Sequence, residues 1–273
     1  MSLWTDAPLT YLDTETSGLP MESFIVTACI GDLGADPNED GVPLQFLLTP
    51  PDGLEIPEGA TKVHGVTTEH ARTFGTPYEE GLAMIAEALN RAARNGRAWV
   101  AYNAAYDISL LVCECARVGI DLLRPQLVID PLVIDKAVDP KRTVEATSMK
   151  GNLYQKKAPR NLVDVSARYG EPLDEKAAHD AVADAVAAGA VARVMQRRVA
   201  AAPADASPLV RWLAGLDAAG LMRWQAERHR EQQEERRADQ RAGGHGDTAE
   251  FGWPLYESAS ALIARRRENA RLG

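Results

Sequence analysis

The chain has 273 residues, of which 45% are hydrophobic, so it can bury one large core or two modest ones. Its formal net charge of -9 argues against a protein that coats nucleic acid or an anionic membrane through its overall field, so any nucleic-acid contact must be local. Three cysteines without a C-x-x-C spacing favour a reducing, cytoplasmic location. The longest Ala/Val-rich stretch, 185–192, is too short to span a bilayer, and we expect no membrane role.

The N-terminal part of the chain predicts three strands, a helix and a fourth strand. Short β-branched or aromatic runs place the first three strands at 9–12, 24–30 and 44–48, and a meander is their simplest arrangement. A Pro/Gly-rich connection follows at 50–59. Apolar residues at helical spacing then predict a helix over 78–93, and 99–102 returns to a strand pattern.

Further along, helical patterns alternate with short apolar runs. Helices are predicted from about 108 to 117, over 160–169 and over 180–199, and an apolar run at 127–134 is broken by Asp130-Pro131. Strands first, followed by alternating helices and strands, indicate one α/β domain whose central sheet is covered on its faces.

The C-terminal residues have a different composition. An Ala-rich segment at 200–206 resembles a linker, and Ser207-Pro208 then offers an N-cap and a first-turn proline for a helix. Residues 223–241 carry charges of both signs, which favours a solvated helix over a nucleic-acid arm. A last amphipathic segment, 257–271, can dock on the main domain or on a partner. We therefore expect a main domain at 1–199 and a helical, charged C-terminal extension at 200–273.

Asp13 and Glu15 are the first candidates for chemistry. Side chains two residues apart on a strand point the same way, so these two carboxylates share a face. Hard divalent cations such as Mg²⁺ bind carboxylate oxygens, and several acids converging on one spot would form such a site. The alternative is an exposed, polar end of a strand.

Two further motifs carry acids. Asp107 follows Asn103 at a predicted strand-to-helix junction, where an N-cap is the ordinary alternative role. His179 and Asp184 open the Ala-rich helix, and on one helix they would point about 140° apart. They can face one site if Asp180 caps the helix and His179 lies on the loop before it. Taken singly, His179 would more often be a solvated loop histidine, and Asp184 a polar position on an amphipathic helix.

In order, type and context these motifs resemble those of the DEDDh exonucleases, the DnaQ-like family that includes the epsilon proofreading subunit of bacterial DNA polymerase III. Residues 12–19 resemble the first motif, 103–107 the second and 179–184 the third, in its H-x-x-x-x-D form. Residues 63–67 also resemble the H-G-I-T segment of proofreading-type members. The resemblance covers about 9–198 and implies a ribonuclease H-like mixed central sheet flanked by helices, which makes 1–199 the exonuclease domain.

The resemblance implies a metal-dependent 3′→5′ exonuclease that works with two divalent cations, Mg²⁺ or Mn²⁺. Asp13, Glu15 and Asp184 would hold the first cation, and Asp13 and Asp107 the second. His179 would act as general base. Further substrate-binding candidates are Thr16, Leu19, His64, Asn103, Lys156 and Lys157.

The expected substrate is the 3′ end of single-stranded DNA, with proofreading as one setting, and the product is a nucleoside 5′-monophosphate. Two alternatives stay open: an RNA exonuclease of the RNase T/oligoribonuclease type, and a non-catalytic module that binds a polymerase or another partner through the C-terminal extension. The basic connection at 139–161 is either a path for the substrate strand or a flexible, solvated loop. Its basic residues are Lys141, Arg142, Lys150, Lys156, Lys157 and Arg160.

Overall fold

The computed structural model describes residues 2–18, 23–34, 40–148 and 151–272, and the side chains of the last helix up to 265. A five-stranded sheet with the strand order β3-β2-β1-β4-β5 forms its centre. The strands are β1 (Leu9–Thr16), β2 (Ile25–Leu33), β3 (Leu44–Leu47), β4 (Ala98–Val100) and β5 (Val128–Ile129). The first three are antiparallel neighbours, whereas β4 runs parallel to β1 and β5 parallel to β4. The predicted mixed sheet and its meander are confirmed.

Ten α-helices, a short 3-10 helix (Trp4–Asp6) and a two-stranded ribbon complete the described part of the chain. The helices are α1 (Glu58–His64), α2 (Thr68–Phe74), α3 (Tyr78–Arg94), α4 (Ala104–Val118), α5 (Pro131–Val138), α6 (Leu162–Tyr169), α7 (Ala181–Ala200), α8 (Pro208–Ala214), α9 (Ala218–Ala242) and α10 (Glu257–Leu272). The ribbon pairs β6 (Thr143–Thr147) with β7 (Leu153–Lys157). None of the helices in the described ranges is long and apolar enough to cross a membrane.

Helices cover both faces of the sheet because side chains of β1 alternate between them. Leu12 packs in a cluster with residues of α3 and α4, and Tyr11 packs on the opposite face against α7. Gly189 permits this second contact, since a β-carbon there would lie 2.8 Å from the Tyr11 ring. Asp13 and Glu15 belong to the same alternate set as Tyr11, so the face that α7 covers is also the face of the two acids.

The C-terminal extension packs on the edge of the sheet. Gln225 of α9 is buried; its side chain donates to the Val128 carbonyl at 2.8 Å and accepts from the Asp130 amide at 2.9 Å. These contacts satisfy one backbone carbonyl of the edge strand β5 and the amide that follows this strand, and both groups would otherwise stay unpaired. Ser207 caps α8 as expected. The prediction of a solvated helix at 223–241 is corrected in part, because one side of α9 is buried.

Two local predictions were wrong, and two helices were missed. Helix α4 begins at Ala104, four residues before the predicted start, because alanine favours a helix and the Asp130 carboxylate accepts from the Ala104 amide. Asp107 therefore lies in the first turn and is not the N-cap. Helices α1 and α2 were not predicted; α1 begins at Glu58, inside the predicted connection at 50–59, and His64 is its last residue. The prediction of a flexible, solvated loop as one alternative for 139–161 was wrong, because this segment forms the ribbon of β6 and β7.

Candidate active site

The end of β1 brings the first two motifs together. Asp13 and Glu15 are half-buried on the α7 side of the strand, while Thr14 between them turns toward α4. The Thr14 backbone amide and hydroxyl both donate to Oδ1 of Asp107, at 3.0 and 2.6 Å. Asp107 is 3% exposed. One strand thus presents two acids and fixes the position of a third.

The third motif has the arrangement that the sequence predicts. Asp180 caps α7 by accepting from the amides of Val182 and Ala183, and His179 lies just outside the helix. The backbone of His179 has a φ of 68°, a left-handed conformation that costs a non-glycine residue about 1–3 kcal/mol. Its amide donates to Oδ2 of Asp184 at 3.2 Å. The strained loop therefore turns back over the first turn of the helix.

The three motifs meet in one open cleft of about 720 Å³. One ligand atom from each of Glu15, His179 and Asp184 lies within 4.8 Å of the other two. Asp13 and Asp107 line the same cleft. All five residues that the sequence singled out for catalysis are thus brought together.

Burial and mutual repulsion make these carboxylates hard to ionise. Burial raises the pKa of Asp13 well above its ordinary value, and Asp107, Glu15 and Asp184 raise it further. Burial, with Asp184, Asp107 and Asp180, raises the pKa of Glu15 to about 8. For Asp107 burial raises the pKa to about 7, although the hydrogen bonds from Thr14 oppose it. Burial also raises the pKa of Asp184. A positive charge placed among these carboxylates would reduce their repulsion and favour their ionised forms.

The donor set fits a divalent cation. Hard cations prefer carboxylate oxygens, and four carboxylates line the cleft. Oδ1 of Asp184 is buried and has no hydrogen-bond partner among the described residues. A cation bound there would satisfy this oxygen and lower the repulsion between the carboxylates.

A residue that the sequence did not single out supports the second motif. Asp130 is 1% exposed, and its two carboxylate oxygens accept from the amides of Asn103 and Ala104, at 3.1 and 3.0 Å. These bonds hold Asn103 in its left-handed conformation, with a φ of 66°, beside the cleft. The only signal in the sequence is the Asp130-Pro131 pair, which marks the start of α5.

Other predicted substrate residues are distributed unevenly. Thr16, His64 and Asn103 line the cleft. Tyr106 also lines it, and its hydroxyl donates to the Gly18 carbonyl at 2.7 Å. Leu19 lies outside the described residues, as does Lys150 of the basic connection.

The basic connection divides into anchoring and exposed residues. The described residues that line the cleft do not include Lys156 or Lys157, which lie exposed on β7. Arg142 and Arg160 bind the buried carboxylate of Asp135, at 3.0 and 2.7 Å. The expectation that these two arginines contact a substrate strand is therefore corrected, because their guanidinium groups are already paired inside the protein.

A family model described as an exonuclease, of the RNase T type, matches residues 10–192, which is more than half of the chain. The chain belongs to this exonuclease family. The matched residues contain all three DEDDh motifs, so the resemblance seen in the sequence is confirmed. Enzymes of this family generally depend on divalent metals, in keeping with the acidic cluster. Among curated proteins, none matches this sequence.

Solved structures with the same fold include Exonuclease I from E. coli. Its complex with a dT13 oligonucleotide has 20% sequence identity and a TM-score of 0.52, and the match covers 71% of this chain and 42% of Exonuclease I. Its complex with a dA16 oligonucleotide has 19% identity and a TM-score of 0.50, with 71% and 41% covered. The chain therefore spans less than half the length of Exonuclease I, and at these identities the likeness concerns the fold.

Proposed function

We propose that this protein hydrolyses single-stranded DNA from its 3′ end and releases nucleoside 5′-monophosphates. The observation that carries the proposal is the convergence of Glu15, His179 and Asp184 within 4.8 Å, in a cleft that Asp13 and Asp107 also line. Intact acids in all three motifs argue against a non-catalytic module.

Two Mg²⁺ or Mn²⁺ ions fit the proposal. Asp13, Glu15 and Asp184 would hold one ion, and Asp13 and Asp107 the other. When bound, divalent cations make water a better nucleophile near neutral pH and neutralise charge that develops on the phosphate.

His179 would act as general base. An imidazole can take up a proton near neutral pH, and this side chain is exposed at the mouth of the cleft. Its backbone is tied to Asp184, so the imidazole stays close to the acids without being buried among them. It would accept the proton of the attacking water.

The part of the cleft that α1 lines suits the terminal nucleotide. Pro57, Ala60 and Val63, at the start and along α1, present apolar groups to the cleft, and the Val63 side chain is 53% exposed. Burial lowers the pKa of His64 beside them, which favours the neutral ring. Apolar groups and a neutral imidazole can pack against a base without competing with the proposed cations for the phosphate.

DNA is the proposed polymer because the structures with this fold include Exonuclease I bound to dT13 and dA16. A proofreading role would require a polymerase, and we propose that such a partner binds the exposed side of α9. We also propose the cytoplasm as the location of the protein. Charges of both signs on α9 would suit a polar interface.

The test is digestion of 5′-labelled single-stranded DNA and RNA, side by side, with Mg²⁺, with Mn²⁺ and with EDTA. We expect a descending ladder on DNA that requires metal and disappears in Asp13→Ala. Asp32→Asn is the control, because Asp32 lies at the opposite end of the β1–β2 pair and binds Arg97. A ladder on RNA alone would show that RNA, and not DNA, is the substrate. The absence of product on either polymer would contradict the proposed function.

A further inference from the structure

The ribbon of β6 and β7 is exposed on both faces. Val144 is 36% exposed, Leu153 64% and Tyr154 49%. A two-stranded ribbon is at best marginally stable by itself, and exposed apolar and aromatic side chains on it add a further cost. Such a surface is typical of a binding element.

The base of the ribbon is nevertheless firmly anchored. Arg142 before β6 and Arg160 after β7 are about 10% exposed, and both bind Asp135, which is 1% exposed. The Arg142 side chain also donates to the Pro159 carbonyl at 2.9 Å, which joins the two ends of the ribbon. The exposed strands therefore project from a fixed position.

That fixed position adjoins the active cleft. Tyr102 lines the cleft, and its hydroxyl donates to the Arg160 carbonyl at 2.5 Å. A strand whose 3′ end lies among the acids can pass over Tyr102 to the ribbon.

The two faces of the ribbon differ in charge. Lys156 lies opposite Val144 and Tyr154 opposite Ala146, so one face combines a cation and an aromatic ring with apolar neighbours. The other face carries Lys157 and the exposed Leu153, but also Glu145 opposite Gln155. In a protein of net charge -9, the first face is favourable for a polyanion that carries aromatic bases.

We propose that the Tyr154–Lys156 face binds the single-stranded substrate upstream of the terminal nucleotide, with a base stacked on Tyr154 and a phosphate on Lys156. This inference rests on the proposed function and adds a second contact region, which the terminal nucleotide does not reach. It predicts that long substrates bind more tightly than short ones.

The experiment compares Tyr154→Ala and Lys156→Ala with the wild-type protein on dT16 and on dT3. For dT16 we expect KM and the Kd measured by fluorescence anisotropy in EDTA to rise at least about fivefold in Tyr154→Ala, from the loss of one stacked base. For Lys156→Ala we expect the slope of log K against log salt to fall by roughly 0.7, the value for one phosphate contact on a single strand. Turnover of dT3 should stay close to that of the wild type.

Lys157→Ala is the matched control, because it removes the same charge from the neighbouring position on the opposite face. An equal change of salt slope in Lys157→Ala, or unchanged dT16 affinity in Tyr154→Ala, would overturn the inference. Because binding is measured in EDTA, an enzyme that cuts neither substrate removes the proposed function alone, and the anisotropy still decides on the ribbon.

Discussion

The carboxylates of the active cleft and the carboxylate of Asp135 lie in the same domain with opposite surroundings. Asp135 is almost fully buried and has three arginines around it, Arg142, Arg160 and Arg168, at 3.0, 2.7 and 3.5 Å. In the cleft, by contrast, acids face other acids, and burial and repulsion raise their pKa values. A buried charge that the chain pairs itself supports the fold, whereas a cluster that it leaves unpaired requires a cation from outside.

The largest expected effect is that of Asp13→Asn, which keeps the shape of the side chain and removes its charge. We expect kcat to fall on the order of 10³-fold, equivalent to about 4 kcal/mol of transition-state stabilisation. The melting temperature of the metal-free protein should stay the same or rise, because a neutral amide cannot ionise in a cluster where burial and neighbouring carboxylates disfavour the charged form. Thermal melts in EDTA and single-turnover kinetics measure the two effects. A destabilised Asp13→Asn protein would contradict the contrast between the clusters.

Removing the charge of Asp135, in contrast to that of Asp13, should destabilise the protein. Asp135→Ala leaves buried arginines without their partner, which costs about 3–5 kcal/mol of the free energy of unfolding. Asp139→Ala is the control, because Asp139 is 37% exposed and binds Arg168. There we expect less than about 1 kcal/mol. Urea unfolding measures both, and equal losses would show that Asp135 has no special role.

The smallest expected effect is a pH dependence of the metal-free protein. The pKa of Glu15 is raised to about 8 and that of Asp107 to about 7, so the folded state holds protons that the unfolded state releases near pH 4. Stability from these groups is therefore complete below about pH 4 and lost as pH rises through 7–8. We expect the melting temperature in EDTA to fall by roughly 5–10 °C between pH 5 and pH 8.5.

Magnesium and Glu15→Gln should each flatten this dependence, since the first neutralises the cluster and the second removes one of its groups. Melting temperatures that rise with pH in EDTA would be incompatible with raised carboxylate pKa values in the cleft.

The acids of the site were predictable from the sequence because local rules position them. The period of a strand directs Asp13 and Glu15 to one face, and an N-cap at Asp180 leaves His179 outside α7. Both rules act within a few residues. Taken singly, however, these residues also fit ordinary structural roles, and it is the resemblance of the three motifs to those of the DEDDh exonucleases that names all five as one site.

Features that depend on tertiary contacts could not be predicted in this way. Helix α1 has no fully buried residue and no side-chain cap, so neither apolar spacing nor a capping residue marks it in the sequence. Asp130 acts on the amides of Asn103 and Ala104, which are distant in sequence. The anchoring of Arg142 and Arg160 on Asp135 likewise appears only once the ribbon is folded.

The left-handed backbone at Asn103 and His179 has a consequence for protein engineering. Glycine adopts this conformation without strain, so a selection for thermostable variants would favour glycine at either position. Each such gain would remove a side chain from the cleft. Stability and activity therefore compete at these two backbone positions, and a more durable enzyme is better sought by substitutions on surfaces that are remote from the cleft.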